Sequence, residues 1–113
     1  VIDISGMVCF NYNMKAERFN ESKPKLSILL EASHALNGAT RVLEYGTKKY
    51  ARANWKKGLP VTEISDSLLR HLMAYTNGED LDEESGLPHV DHVLVNALFL
   101  AEMAHYKEWD DRI

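Results

Sequence analysis

A chain of 113 residues, 45% apolar and 27% charged, has the length for one hydrophobic core and a composition far from disordered, fibrous or disulfide-scaffold chains. Its net charge of −4 conceals an asymmetry, because ten of the thirteen basic residues lie between Lys15 and Lys57 and twelve of the seventeen acids follow Gly58. A basic half suited to a polyanion and an acidic half suited to a divalent cation match a metal-bound nucleotide, although plain attraction between the halves across a fold or dimer makes the same pattern.

The single cysteine, Cys9, rules out an internal disulfide and a thiolate metal cluster, and it fits a reducing, cytoplasmic setting. The longest apolar run, Val93 to Ala104, is broken by Asn96 and Glu102 and falls short of the roughly 20 apolar residues that span a bilayer. No membrane association is expected. Val1 to Phe10 has neither a basic n-region nor a sustained apolar h-region, and a start at Val leaves the native beginning of the chain open.

Taken in chain order, residues 1–31 have no clean period, and Lys23-Pro24 breaks any helix passing there. This stretch reads as an irregular arm, with a strand conceivable in the first ten residues. From about Ser33 to Tyr50, Leu36, Ala39, Val42, Leu43, Gly46 and Tyr50 recur at helical steps. Ala51 to Pro60 then forms a basic loop containing Asn54, Trp55 and Gly58. Thr62 is the expected N-cap of a second helix with an apolar face of Ile64, Leu68, Leu72 and Tyr75, closed at Asn77-Gly78. An acidic loop over 79–84 follows. Pro88 then suits the first turn of a third helix running to about Trp109. No repeat and no GxxxxGK phosphate loop is present. The expectation is one all-α domain over 1–113, a bundle of three to five helices behind the arm.

The third helix carries the chemistry, since His89, His92 and Asn96 share one stripe that continues as Phe99 and Met103. Buried polar groups need partners, at about 1–3 kcal/mol for each one left unpaired. One such histidine is ordinarily a satisfied core residue; two imidazoles and an amide in a row suggest a ligand, a metal or a hydrogen-bond network. His71 sits within or beside the apolar stripe of the second helix, next to Arg70. If these helices run antiparallel, His71 approaches the start of the third, where Glu79, Asp82 and Glu84 offer hard oxygen ligands suited to Mg²⁺ or Mn²⁺. Such acidic loops are also commonly just solvated. Glu44 stands in a basic neighbourhood as a metal ligand or a salt-bridge partner. Lys48, Lys49, Arg52, Lys56 and Lys57 suit phosphate, and Tyr50 and Trp55 suit base stacking, with core packing an equal reading for Trp55. Aromatics interleaved with basic residues also suit single-stranded nucleic acid, but the acidic half disfavours a long polyanion.

Arg18-Phe19, Lys23-Pro24-Lys25-Leu26, Val42-Leu43-Glu44-Tyr45-Gly46, Lys49-Tyr50, Asn54-Trp55 and Gly58, followed by Leu69-Arg70-His71-Leu72, Gly78-Glu79, Asp82, Glu84-Ser85-Gly86-Leu87, His89, His92 and Asn96, together resemble the phage dATP/dGTP diphosphohydrolase family (MazZ). The resemblance runs from residue 18 to about 100. It extends to MazG-like all-α nucleotide pyrophosphohydrolases, which implies a helical, metal-dependent, oligomeric enzyme releasing pyrophosphate from nucleoside triphosphates. For phages that replace adenine with 2-aminoadenine it implies conversion of dGTP to dGMP in the host cytoplasm. Asn20 and Ser22 depart from the family's more usual Asp and Gly. The paired ExxE and ExxD motifs of MazG are only partly present, as Glu79 and Asp82 in a loop, with His71 and the His89/His92 pair at places that carboxylates hold there.

The resulting expectation is hydrolysis of a purine deoxynucleoside triphosphate, dGTP or also dATP, by a homodimer or homotetramer using Mg²⁺ or Mn²⁺. Glu44, His71, Glu79 and Asp82 are the catalytic candidates. Glu44, Glu79, Asp82, Glu84, His89 and His92 are the metal candidates, and Lys48, Lys49, Asn54, Trp55, Arg70 and Asn96 the substrate contacts. The alternative is a noncatalytic nucleotide- or partner-binding regulatory module. An HD-type phosphohydrolase ranks below both, because the order here is Asp91-His92. Val95 and Leu98 are expected on the outer face of the third helix, where they would serve an oligomer contact.

Overall fold

The computed structural model describes residues 15–113, so Cys9 and the strand conceivable in residues 1–10 lie outside the described residues. Three α-helices carry the fold: α1 (Ser33–Lys49), α2 (Val61–Thr76) and α3 (His89–Met103). The described residues include no strand, only an isolated bridge between Leu81 and Pro88, and the expected all-α bundle is what forms. No described helix is long and apolar enough to cross a membrane. The described part of the arm is less irregular than its sequence suggests. Leu26–Ala32 winds into a 3-10 helix that runs straight into α1. Ser22 takes φ +68°, a left-handed position that favours glycine.

α3 is the central element and packs on both α2 and α1. Ala39 and Val42 of α1 meet Val95 of α3 in one buried cluster, while Val61 and Ile64 of α2 meet Met103 in a second. Phe99 packs against both and joins them. Burying Val95 corrects its expected place on the outer face: with α1 on one side and α2 on the other, the helix has only a narrow exposed stripe, which runs through Val90, Leu94 and Leu98. α1 comes close enough to α3 at Gly38 that a Cβ there would strike the Asp91 carboxylate.

Two boundaries differ from expectation, each through a tertiary contact. α2 begins at Val61, so Thr62 is not its N-cap. The Thr62 N–H instead donates to Asp111 Oδ1 at 2.9 Å, and its hydroxyl donates to the other oxygen of that carboxylate. A residue 49 positions away therefore supplies the cap. α3 stops at Met103 rather than near Trp109. The chain turns back through a 3-10 turn at Lys107–Trp109, which lays the Trp109 ring against Gly58 and the Val61/Ile64/Met103 cluster. On α2, Leu72 and Tyr75 face outward and His71 takes the inner line between Leu68 and Ala74.

Candidate functional site

The acidic loop is held in shape by its own backbone. Asp82 N–H donates to Leu87 O at 2.8 Å, Gly86 N–H to Asp82 O at 2.7 Å, and His89 N–H to Asp80 O at 2.9 Å. This closed turn leads directly into α3 and sets the Asp82 side chain, 20% exposed, beside the first turn of that helix. Ser85 fixes it there, because its N–H donates to Asp82 Oδ2 at 2.9 Å while its hydroxyl lies 2.7 Å from His92 Nε2 and accepts from the Leu87 N–H at 3.1 Å.

Three imidazoles converge where α2 crosses α3. His71 and His92 stack nearly parallel with ring centres 4.3 Å apart, and His71 Nδ1 lies 2.8 Å from His89 Nδ1. His89 and His92 are buried and His71 half-buried. Burial, reinforced by the neighbouring His92, pushes the His71 pKa down, and burial also lowers that of His92. Burial pushes Asp82 the other way, but the hydrogen bonds from Ser85 outweigh it and hold the carboxyl below the ordinary aspartate value. At neutral pH His71 and His92 are therefore neutral imidazoles beside a carboxylate, which is a donor set.

That set fits a divalent cation. His71, Asp82 and His89 each offer a ligand atom, all within 4.8 Å of one another. His89 Nε2 is buried without a hydrogen-bond partner, its nearest carboxylate being Glu79 Oε2 at 3.7 Å.

His71, Asp82 and His92 also line a cavity of about 1050 Å³ between the end of α1, the 50–59 loop and the inner faces of α2 and α3. Of the residues singled out from sequence, Glu44, Lys49, Asn54, Trp55, Glu84 and Asn96 line it too. Lys49 is paired with Glu84, which raises the lysine pKa, and it sits 5.3 Å over the Tyr45 ring. Trp55 stacks on Phe99 at 4.6 Å and also packs on the second cluster, so base-stacking wall and core residue hold together. Asn96 spends its amide hydrogens on His92 O (2.9 Å) and Ser67 Oγ (3.2 Å), leaving Oδ1 as the acceptor this amide has to offer.

The structure does not bring every candidate together. Lys48 lines a separate small hollow with Arg41 and Ser85, and Arg70 is exposed and lines neither hollow. Glu79 stands outside the cavity, behind His89. Ser85, Ser67 and Phe99 were not among the site candidates, although Asp82-x-x-Ser85 has the spacing by which an aspartate accepts an N–H three residues on.

The fold and site define an all-α domain with an imidazole–carboxylate cluster opening on a nucleotide-sized cavity. Residues 13–112 match the family model described as dATP/dGTP diphosphohydrolase, N-terminal, and the chain belongs to that family. It is similar to the curated protein named dATP/dGTP diphosphohydrolase from Salmonella phage PMBT28, with 32% identity over 87 residues. The match covers 77% of this chain and 29% of that relative, so the chain spans under a third of its length. No solved structure matches.

Proposed function

We propose that this chain hydrolyses a purine deoxynucleoside triphosphate, dGTP and also dATP, to its monophosphate and pyrophosphate with a divalent cation, Mg²⁺ or Mn²⁺, in support of phage 2-aminoadenine DNA synthesis. The observation that carries the reading is one cavity lined both by His71 and Asp82, two of the three cation-type donors, and by the stacked pair Trp55 and Phe99. Trp55 and Phe99 offer a stacking surface for the base, and Asn96 Oδ1 accepts from a base amine or a sugar hydroxyl. Lys49, Arg52 and Lys56, all lining the cavity, attract the phosphates; Lys49 exchanges Glu84 for a phosphate oxygen. His71, Asp82 and His89 hold the cation, and Glu44, exposed on the cavity wall, orients the attacking water. When bound, the cation activates water and offsets charge on the leaving pyrophosphate.

Incubation with dGTP and Mg²⁺ or Mn²⁺, followed by product separation, tests this. dGMP plus pyrophosphate is the expected result, and deoxyguanosine plus tripolyphosphate overturns it. Saturable dGTP binding without turnover would instead establish the noncatalytic binding module.

A further inference from the structure

Any account of the three-histidine cluster has to place its protons. Two facing Nδ1 atoms 2.8 Å apart form a hydrogen bond only when one carries hydrogen and the other is bare. If His89 is the donor, its own Nε2 is a bare lone pair, buried without a donor; if His71 is the donor, the His89 Nε2–H is buried without an acceptor, since Glu79 at 3.7 Å is too distant. Both tautomers leave His89 Nε2 unsatisfied.

A cation on the Nδ1 pair removes the conflict. Two imidazole nitrogens about 2.0–2.1 Å from one ion sit about 2.9–3.3 Å apart for bond angles between a right angle and the tetrahedral value, just above the observed 2.8 Å, and the Asp82 carboxylate offers a third ligand atom within 4.8 Å of the imidazole donors. Both Nδ1 atoms then act as acceptors toward the ion. The His89 Nε2–H is then a donor facing Glu79, whose exposed side chain is free to close the gap.

We infer that His71 Nδ1, His89 Nδ1 and Asp82 form a two-imidazole, one-carboxylate centre for an imidazole-accepting transition ion such as Zn²⁺, Co²⁺ or Mn²⁺, that Mg²⁺ does not compete for it, and that Glu79 is a positioning carboxylate behind His89. Mg²⁺ prefers near-octahedral oxygen and holds its waters, whereas nitrogen donors favour the later divalent ions. The inference rests on the proposed function only in taking the cluster as the cation site, and it narrows the ion expected there.

The test is titration of the metal-stripped 113-residue chain with Co²⁺, followed through the visible absorption of the bound ion. One ion per chain is expected, displaced by Zn²⁺ and retained in excess Mg²⁺. His71→Ala, at a half-exposed position, should abolish the spectrum, while Glu79→Gln keeps the stoichiometry and weakens affinity by roughly ten- to a hundredfold. Displacement by Mg²⁺, absence of binding, or an unchanged spectrum in His71→Ala overturns the centre; unchanged affinity in Glu79→Gln overturns the role of Glu79. Should His71→Ala lose its helical circular dichroism, pulsed electron paramagnetic resonance of the Mn²⁺-loaded wild type decides, because two coupled imidazole nitrogens support the centre and none overturns it. The readouts stay separable from activity: Mg²⁺-only dGTP turnover without Co²⁺ binding defeats this inference alone, and Co²⁺ binding without turnover defeats the functional proposal alone.

Discussion

Ser85 ties together three groups that would otherwise move independently: the Asp82 carboxylate, the His92 ring and the backbone entering α3. Removing its hydroxyl leaves the loop hydrogen bonds of the backbone in place but frees the imidazole and strands the Leu87 N–H. Ser85→Ala is therefore expected to stay folded and to lower dGTP turnover by roughly ten- to a hundredfold, the usual cost of losing an orienting partner. Steady-state kinetics beside a circular dichroism spectrum checks this, and unchanged turnover would show the hydroxyl to be idle. His71 and His92 were readable as chemical residues because each polar ring falls on or beside an apolar helical line. Ser85 was not, because a loop serine has no period to violate, and its importance arises only when residues 82, 85 and 92 meet in space.

Helix ends depart furthest from local pattern, for one physical reason: both misplaced boundaries are set by residues distant along the chain. The Asp111 carboxylate caps α2 from 49 positions away, and its hydrogen bonds with the Thr62 hydroxyl and N–H hold its pKa below the ordinary aspartate value. A group whose pKa is depressed by folding contributes stability above its unfolded pKa and loses that contribution as pH falls through its folded pKa. Asp111→Ala should accordingly melt a few degrees below wild type at neutral pH, with the two melting curves converging at pH below the folded Asp111 pKa. A gap that persists in acid would mean that the carboxylate charge is not what stabilises the helix end. Gly58 is the companion case, combining φ +120° with the Trp109 ring lying where a Cβ would be. Gly58→Ala pays twice, in backbone strain and in displacing Trp109 from the Val61/Ile64/Met103 cluster, for a loss of roughly 3 kcal/mol; chemical denaturation measures it, and a loss below about 1 kcal/mol would show that the turn relaxes freely.

Few large side chains are buried among the described residues. Only Ala39, Val42, Val61, Ile64, Val95 and Met103 form their buried apolar core, while Val90, Leu94 and Leu98 on α3 and Leu69, Leu72 and Met73 on α2 remain exposed. We propose that these two stripes, rather than the buried Val95, mediate self-association into a dimer or tetramer. Leu94→Glu combined with Leu98→Glu should shift the protein to monomer in light scattering or sedimentation. A wild type that is already monomeric at working concentration contradicts this.

Helical periodicity and punctuation were enough to find three helices, an acidic turn between the second and third, and a polar stripe on an otherwise apolar α3, since these follow from local spacing of side chains along a backbone of known pitch. The same spacing cannot say which face of α3 is covered, which carboxylate caps α2, or that Glu79 sits behind His89 while Asp82 stands beside it. Those outcomes depend on how α1 and α2 sandwich α3 and on where the returning C-terminal turn lands, which are contacts between residues far apart in the chain, and no period in a one-dimensional pattern encodes them.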